Sequence, residues 1–284
     1  MRELWISKIT GRHRTGTRVS ELRKLFEDGI TAQSICEPIQ ACFTNDSVLE
    51  IKGKMEQLDF DVLGIKSTEE SPIEGFIYAA DLTGGKCGDF KKEFQVSNLI
   101  SDSTPLIDIL PILGNKMHVF VLFGNLIQGI ITRADLQKPP VRILLFGLIT
   151  LLEMHFSYLI RKFYPDENWH GTLTESRIEN AEKLMRQRKK RNEKLDFVGC
   201  FQFCDKRDLI LADSKIVNIL GFTSGDKCKS TLKTVEKLRD KLAHAQDIVT
   251  GTSWEEIISL VDIVERLIQK SEEYTENILT NTYQ

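Results

Sequence analysis

The chain has 284 residues, with 38 Lys and Arg against 41 Asp and Glu, a formal net charge of −3. That balance excludes a protein that coats nucleic acid by bulk charge, so any contact with a polyanion has to come from a local patch. Six cysteines (Cys36, Cys42, Cys87, Cys200, Cys204 and Cys228) form no CxxC pair, which argues against a zinc site, and the length accommodates two domains with separate cores. Scattered thiols and the lack of a secretory leader pattern point to the reducing cytoplasm.

The chain opens on a basic stretch, Arg12-His13-Arg14 with Arg18, flanked by Gly11 and Gly16. An unstructured terminus is the expected reading, a phosphate-touching arm the alternative. Helical spacing over 48–58 then leads into the apolar run Val62-Leu63-Gly64-Ile65 and into GFIYAADL at 75–82. The same order returns further on. Helical spacing over 106–113, which Pro111 is expected to limit, leads into an apolar run at 118–123. A turn at Gly124-Asn125 and GIITRADL at 129–136 follow. Both copies share a frame of Gly, two apolar residues, a polar position, two further residues and Asp-Leu. The unit reads as helix, strand, strand, then an Asp opening another helix. Such a repeat predicts two similar halves packed about a pseudo-twofold axis.

This pattern resembles a tandem pair of CBS domains, an α+β fold that binds adenosine-containing ligands between its two halves. The stretch from Gly129 to Asp135 is similar to the family's ligand motif. The resemblance implies a nucleotide site at Thr132, Arg133 and Asp135, with the carboxylate accepting hydrogen bonds from ribose hydroxyls. ATP, ADP, AMP or a related adenine nucleotide would be the regulatory ligand. In the first copy Tyr78 stands where the second has Thr132, and its aspartate is Asp81. A phenol there could stack on a ligand or block it, so the second motif is the stronger candidate. Each aspartate also precedes a helix, where capping free backbone N–H groups is the structural alternative.

Pro139-Pro140 marks a boundary between an α+β region, 1–138, and a helical region, 139–284. An apolar helix is expected over 141–164. Its most apolar run, ILLFGLITLL at 143–152, is about half the roughly twenty residues a membrane span needs, so a buried core helix is expected and no membrane partner. Glu153 inside it either pairs with Arg239 or faces solvent. Thr174 and Glu175 start a second helix that ends in Arg186, Arg188, Lys189, Lys190 and Arg191. This patch is the local cluster with enough charge to hold an RNA backbone; alternatively its cations complement the helix dipole. An aromatic-rich turn at 197–204 and helices over 206–220, 226–245 and 253–278 complete the region, the last opened by a Ser253–Glu256 capping box. Short connections favour an up-and-down bundle. His13, His118, His155 and His170 have no partner at ligand spacing, so no catalytic metal is expected.

In the helix over 226–245, Leu232, Val235, Leu238 and Leu242 form an apolar stripe, and Arg239 lies at its edge. His244 follows five positions later and can move a proton near neutral pH. A fixed cation beside an imidazole suits cleavage of a phosphodiester by an RNA 2′-hydroxyl. Five helical residues turn by roughly 140°, so the two side chains share a face only if the helix loosens after Ala243; otherwise two copies of the chain assemble the site. Arg239, Asp240 and His244 resemble the Arg–polar–His motif of the HEPN superfamily, whose ribonuclease members cut RNA as dimers without a metal. Together the resemblances imply a tandem CBS pair followed by an all-α, HEPN-like bundle: a nucleotide-regulated homodimeric endoribonuclease, of toxin or antiviral type, with Glu153 supporting Arg239. The competing readings are a non-catalytic, nucleotide-sensing regulatory or dimerisation protein, and an RNA-binding sensor.

Overall fold

A computed structural model of the chain describes residues 18–191 and 196–282. They fall into two compact units: Phe26–Val141, and Arg142–Gln284 together with the described part of Met1–Leu25. The start of helix α1 (Val19–Gly29) therefore belongs with the helical unit and not with the α+β region. Two hydrogen bonds explain this. The Arg18 guanidinium donates to Glu276 at 2.5 Å and the Val19 N–H donates to Glu272 at 2.8 Å, both acceptors lying on α9 (Trp254–Thr282). The basic stretch at 12–14 lies outside the described residues.

The α+β unit repeats one motif twice. Strand β2 (Ala41–Phe43), helix α2 (Val48–Leu58), strands β3 (Val62–Lys66) and β4 (Gly75–Tyr78) and a 3-10 turn at Ala79–Asp81 make the first copy. Strand β5 (Leu99–Ser101), helix α3 (Leu106–Asn115), strands β6 (His118–Phe123) and β7 (Leu126–Thr132) and a 3-10 turn at Arg133–Gln137 make the second. In each, the leading strand runs parallel to the middle strand, which pairs antiparallel with the last. A short strand β1 (Glu37–Pro38) precedes the first copy in the chain but pairs with β7 of the second.

Each helix buries its apolar face on its own sheet. Val48, Ile51 and Met55 of α2 meet Leu63, Ile65 and Ile77, and in the second copy Leu106, Ile109 and Leu113 of α3 are buried, as are Val119, Val121 and Ile131. The opposite faces of the two sheets meet through Ile39, Phe76 and Phe120. The shared glycines are needed because backbones approach closely there: a Cβ on Gly75 would lie 2.6 Å from the Lys92 carbonyl oxygen, and one on Gly129 3.1 Å from Val121. Pro111 does not end α3, which continues to Asn115. A proline costs the helix the bond its own N–H would make, and burial of Leu110 and Leu113 outweighs that loss.

In the helical unit, α4 (Pro139–Phe163), α5 (Glu175–Lys190), α6 (Phe203–Ala212), α7 (Ser214–Ile219) and α8 (Gly225–Ala243) precede α9. The single helix expected over 206–220 is broken at Asp213, whose extended backbone lets its carboxylate accept the Lys215 N–H at 2.8 Å and cap α7. Ser253 and Glu256 form the expected reciprocal cap of α9, at 3.2 and 3.3 Å. Helix α4 is longer than its ten-residue apolar run and is the one described helix long and apolar enough to cross a membrane. It is also 61% buried over its most apolar stretch, with Leu145, Leu148 and Ile149 packed against Leu238 of α8 and Leu260, Val261 and Val264 of α9.

Candidate functional site

The Thr132–Asp135 motif forms because β7 ends at Thr132 and the chain turns at once into the 3-10 turn. Asp135 Oδ2 accepts the Thr132 N–H at 2.7 Å and the Thr132 hydroxyl at 3.0 Å. The carboxylate therefore does what the structural alternative asked, satisfying donors at the start of the turn. Its Oδ1 lies 2.8 Å from Lys138 Nζ, and Asp135 is buried. The same ammonium donates to the Ile35 carbonyl at 2.5 Å and to Glu37. Burial opposes the charge on Lys138, but the two carboxylates outweigh it and hold its pKa above the ordinary lysine value. Arg133 faces elsewhere. Its guanidinium donates to the carbonyls of Leu113, Gly114 and Lys116 at 3.0 to 3.2 Å, closing the C-terminal end of α3. Lys138 and Glu37 had no signal in the sequence, because β1 is too short to show a period and its pairing with β7 joins residues far apart in the chain.

The first motif is built differently. Tyr78 packs edge-on against Phe76 at 5.3 Å and against His118 at 5.7 Å, within an aromatic cluster that includes Phe94 and Phe120. Lys92 Nζ lies 4.9 Å from the centre of the Tyr78 ring and 2.8 Å from Asp81 Oδ2. His118 sits opposite Thr132 in the β6–β7 register, so the two motifs meet through one imidazole. Burial lowers the pKa of that ring.

A cleft of about 600 Å³ opens in the same unit, of the size that takes a small ligand. Ile39, Ala41, Phe43 and Ile73 supply apolar walls; Lys66, Glu69, Glu70, Gln40 and Gln128 supply charged and polar groups. The motif residues Thr132, Asp135, Tyr78 and Asp81 are not among its lining residues. The segment 35–41 connects the two places, with Ile35 and Glu37 holding Lys138 beside Asp135 and Ile39 to Ala41 lining the cleft.

The helical candidates are dispersed. Leu232, Val235, Leu238 and Leu242 are buried as the stripe requires. Arg239 is half-exposed and pairs with its neighbour Asp240 at 3.1 Å. Glu153 pairs instead with Lys206 of α6 at 2.7 Å; Lys206 is buried and supplies the nearer cation. Helix α8 ends at Ala243, and His244 takes the C-cap position with φ −100° and ψ 12°, its side chain exposed. The helix thus loosens where the sequence allowed it to. Arg186 bonds Glu182 at 3.2 Å, while Lys189, Lys190 and Arg191 are exposed at the end of α5. His155, which has no partner at ligand spacing in the sequence, is buried with Nδ1 3.1 Å from Ser271 Oγ and Nε2 3.8 Å from Glu272. Only the fold brings α4 and α9 together there. Among the described residues no group of metal-ligating side chains comes together.

No family model and no curated protein matches the sequence. Solved structures similar to part of the chain include the CBS-pair protein CBSX2 from Arabidopsis thaliana, at 16% identity over 38% of this chain and 91% of that one, with a TM-score of 0.32. CBSX2 in complex with AMP matches at 18% identity over 38% and 92%, with a TM-score of 0.33. The CBS domains of a transcriptional regulator from Streptococcus pneumoniae match at 16% identity over 38% and 97%, with a TM-score of 0.32.

Proposed function

We propose that the α+β unit is a CBS-type pair that binds an adenine nucleotide, and that the chain is a nucleotide-sensing regulatory protein whose helical unit docks a partner or a second copy. The observation that supports this most is the duplicated helix–strand–strand–Asp unit, each copy ending its last strand in the motif. In this reading the ribose lies at Asp135. Asp135 turns Oδ1 to a ribose hydroxyl while Oδ2 keeps its cap on Thr132. Calorimetric titration with AMP, ADP and ATP tests it. Asp135→Ala should weaken binding by about 1.5–3 kcal/mol, the range for hydrogen bonds to a charged group. Equal affinity in a folded Asp135→Ala protein would overturn the site.

A second reading, a metal-independent endoribonuclease, draws support from the open end of α8. There Arg239 pairs, among the described residues, with its neighbour Asp240, and His244 takes the C-cap position outside the helix. In this chemistry the RNA 2′-oxygen bonds to phosphorus and loses its proton. The bond from phosphorus to the 5′-oxygen breaks, leaving a 2′,3′-cyclic phosphate and a 5′-hydroxyl that takes a proton. His244 would move the proton, Arg239 would neutralise the phosphoryl oxygens, and Lys189, Lys190 and Arg191 would hold the backbone. Incubation of the purified homodimer or monomer with RNA in excess chelator separates the readings. Each of Arg239→Ala and His244→Ala should slow cleavage by about 10²-fold or more. Intact RNA with the wild-type protein under every nucleotide, or full cleavage by His244→Ala, sinks this reading and leaves the regulatory one. A toxin or antiviral role belongs to the ribonuclease reading alone.

A further inference from the structure

We infer that the outward stripe of α4, Ile143, Gly147, Thr150 and Met154, is the surface on which a second copy of this chain docks. The two α4 helices pair antiparallel about a twofold axis between Gly147 and Thr150. The inference rests on the reading of the helical unit as a docking unit, names what docks there, and needs no nucleotide.

Most of α4 is taken up by its own bundle, with Leu144, Leu145, Leu148, Ile149, Leu151 and Leu152 buried. The side left outward is apolar as well. Ile143 is 59% exposed, Phe146 42% and Met154 37%, and Thr150 is exposed between them. A solvated helix face carries charge, and α4 carries none between Arg142 and Glu153. Those two bounding charges are already committed. Arg142 donates to the carbonyls of Gln246 and Lys241 at 2.9 and 3.2 Å, and Glu153 pairs with Lys206 at 2.7 Å. Covering the stripe therefore leaves no ion without a partner. On the flanking helix α1, Leu22 approaches Gly147, and Leu25, three residues on, is 64% exposed. Ile143, Phe146, Met154 and Leu25 together expose on the order of 400 Å² of apolar surface per copy. That is close to the apolar share of a standard interface, which buries about 800 Å² per partner and is a little over half non-polar.

The stripe matches itself. Positions 143, 147, 150 and 154 follow the four–three–four step of a coiled-coil seam. Read from either end, the side chains run large, small, small, large. An antiparallel copy sets Ile143 against the partner's Met154 and Gly147 against the partner's Thr150, so the helices close on each other in the middle and large side chains fill both ends. An isologous contact requires this kind of self-complementarity under a twofold rotation. Gly147 points the same way. Glycine is among the least favourable residues inside a helix, and no described residue of the chain requires it here. A Cβ on Gly147 would meet Leu22 at 3.8 Å, an ordinary contact. At Gly75 the chain's own backbone takes the place of a Cβ; at Gly147 the close approach comes from outside the chain.

Sedimentation velocity of the full chain without nucleotide, from about 1 to about 100 μM, tests this. The wild type should dimerise within that range. Ile143→Lys with Phe146→Lys, both at positions exposed in the single chain, should keep the melting curve and weaken dimerisation at least about a hundredfold. Register is tested by cysteines. A disulfide joins Cα atoms within about 7 Å, and the two copies of position 143 stand roughly 16 Å apart along the helix axes. Ile143→Cys combined with Met154→Cys should therefore give a covalent dimer under oxidised glutathione, and neither single variant should. A wild type that stays monomeric at about 100 μM overturns the inference; if that monomer co-sediments with phosphatidylcholine vesicles, the stripe belongs to a lipid surface instead. A dimer that survives both lysines, or single cysteine variants that link as well as the pair, overturns it too. AMP titration by calorimetry is read separately from all of these, so the nucleotide reading stands or falls on its own.

Discussion

Asp135 holds a backbone N–H, a hydroxyl and an ammonium at once, and this makes it readable from the sequence in two ways that are both physical. An aspartate three residues after a strand-ending threonine caps the following turn, and in the nucleotide reading proposed above its second oxygen, which meets Lys138, would turn to a ligand. His118, two elements earlier in the chain, is set opposite Thr132 by strand register and against Tyr78 by packing. Burial holds its pKa below the ordinary 6.5, so the neutral ring is the folded form. An unfolded chain takes up a proton near that value and the folded chain only at lower pH. This contribution to stability is therefore complete above 6.5 and is lost as pH falls through the window beneath it. Urea unfolding between about pH 7 and about pH 5 should show a loss of stability that shrinks in His118→Phe, which keeps a ring in the cluster. An identical pH dependence in both proteins would refute the buried neutral histidine.

Helix α6 shows why the partners of charged residues resist prediction. Its run Asp205-Lys206-Arg207-Asp208 sets four charges in a row, and they find partners on three different helices. Asp205 and Asp208 meet Arg177 of α5, Lys206 meets Glu153 of α4, and Arg207 meets Glu236 of α8. Lys206→Ala leaves Glu153 without its cation in a mostly buried position and should cost about 3 kcal/mol. Lys206→Met with Glu153→Leu should recover most of that loss, since a packed apolar pair replaces the ions. Recovery of none of it in denaturant unfolding would show that the pair does more than neutralise itself. Arg239 is the contrasting case on α8. The periodicity placed it correctly at the edge of a buried stripe, and its partner is simply the next residue. Arg239→Ala should change stability by no more than about 0.5 kcal/mol. A larger loss by the same measurement would assign Arg239 a structural role, and a small one leaves any effect on RNA attributable to chemistry.

For the whole molecule, nucleotide binding to the folded α+β unit has a thermodynamic signature independent of any downstream response. AMP at about one hundred times its dissociation constant should stabilise that unit by about 2.7 kcal/mol, and the gain should fall to about 0.3–1.3 kcal/mol in Asp135→Ala. A melting temperature that rises equally in both proteins would place the ligand elsewhere. The repeat was legible in the sequence because glycine is required where backbones meet, at Gly75 and Gly129, and because strand and helix periods differ. These local rules also determined the apolar stripe of α8, the Ser253–Glu256 cap and the cap that Asp135 places on its turn, whereas Asp81 ends its turn and caps nothing there. Tertiary structure alone decided which cation each carboxylate meets, since Lys138 with Glu37, Lys92 with Tyr78 and Lys206 with Glu153 join residues that no period connects. It also decided that residues 18–25 belong with α9, because the donors of one helix start found their acceptors at the far end of the chain. Backbone geometry and hydrophobic period act over a few residues and are written locally, whereas ion pairing and aromatic packing depend on which surfaces the fold brings face to face.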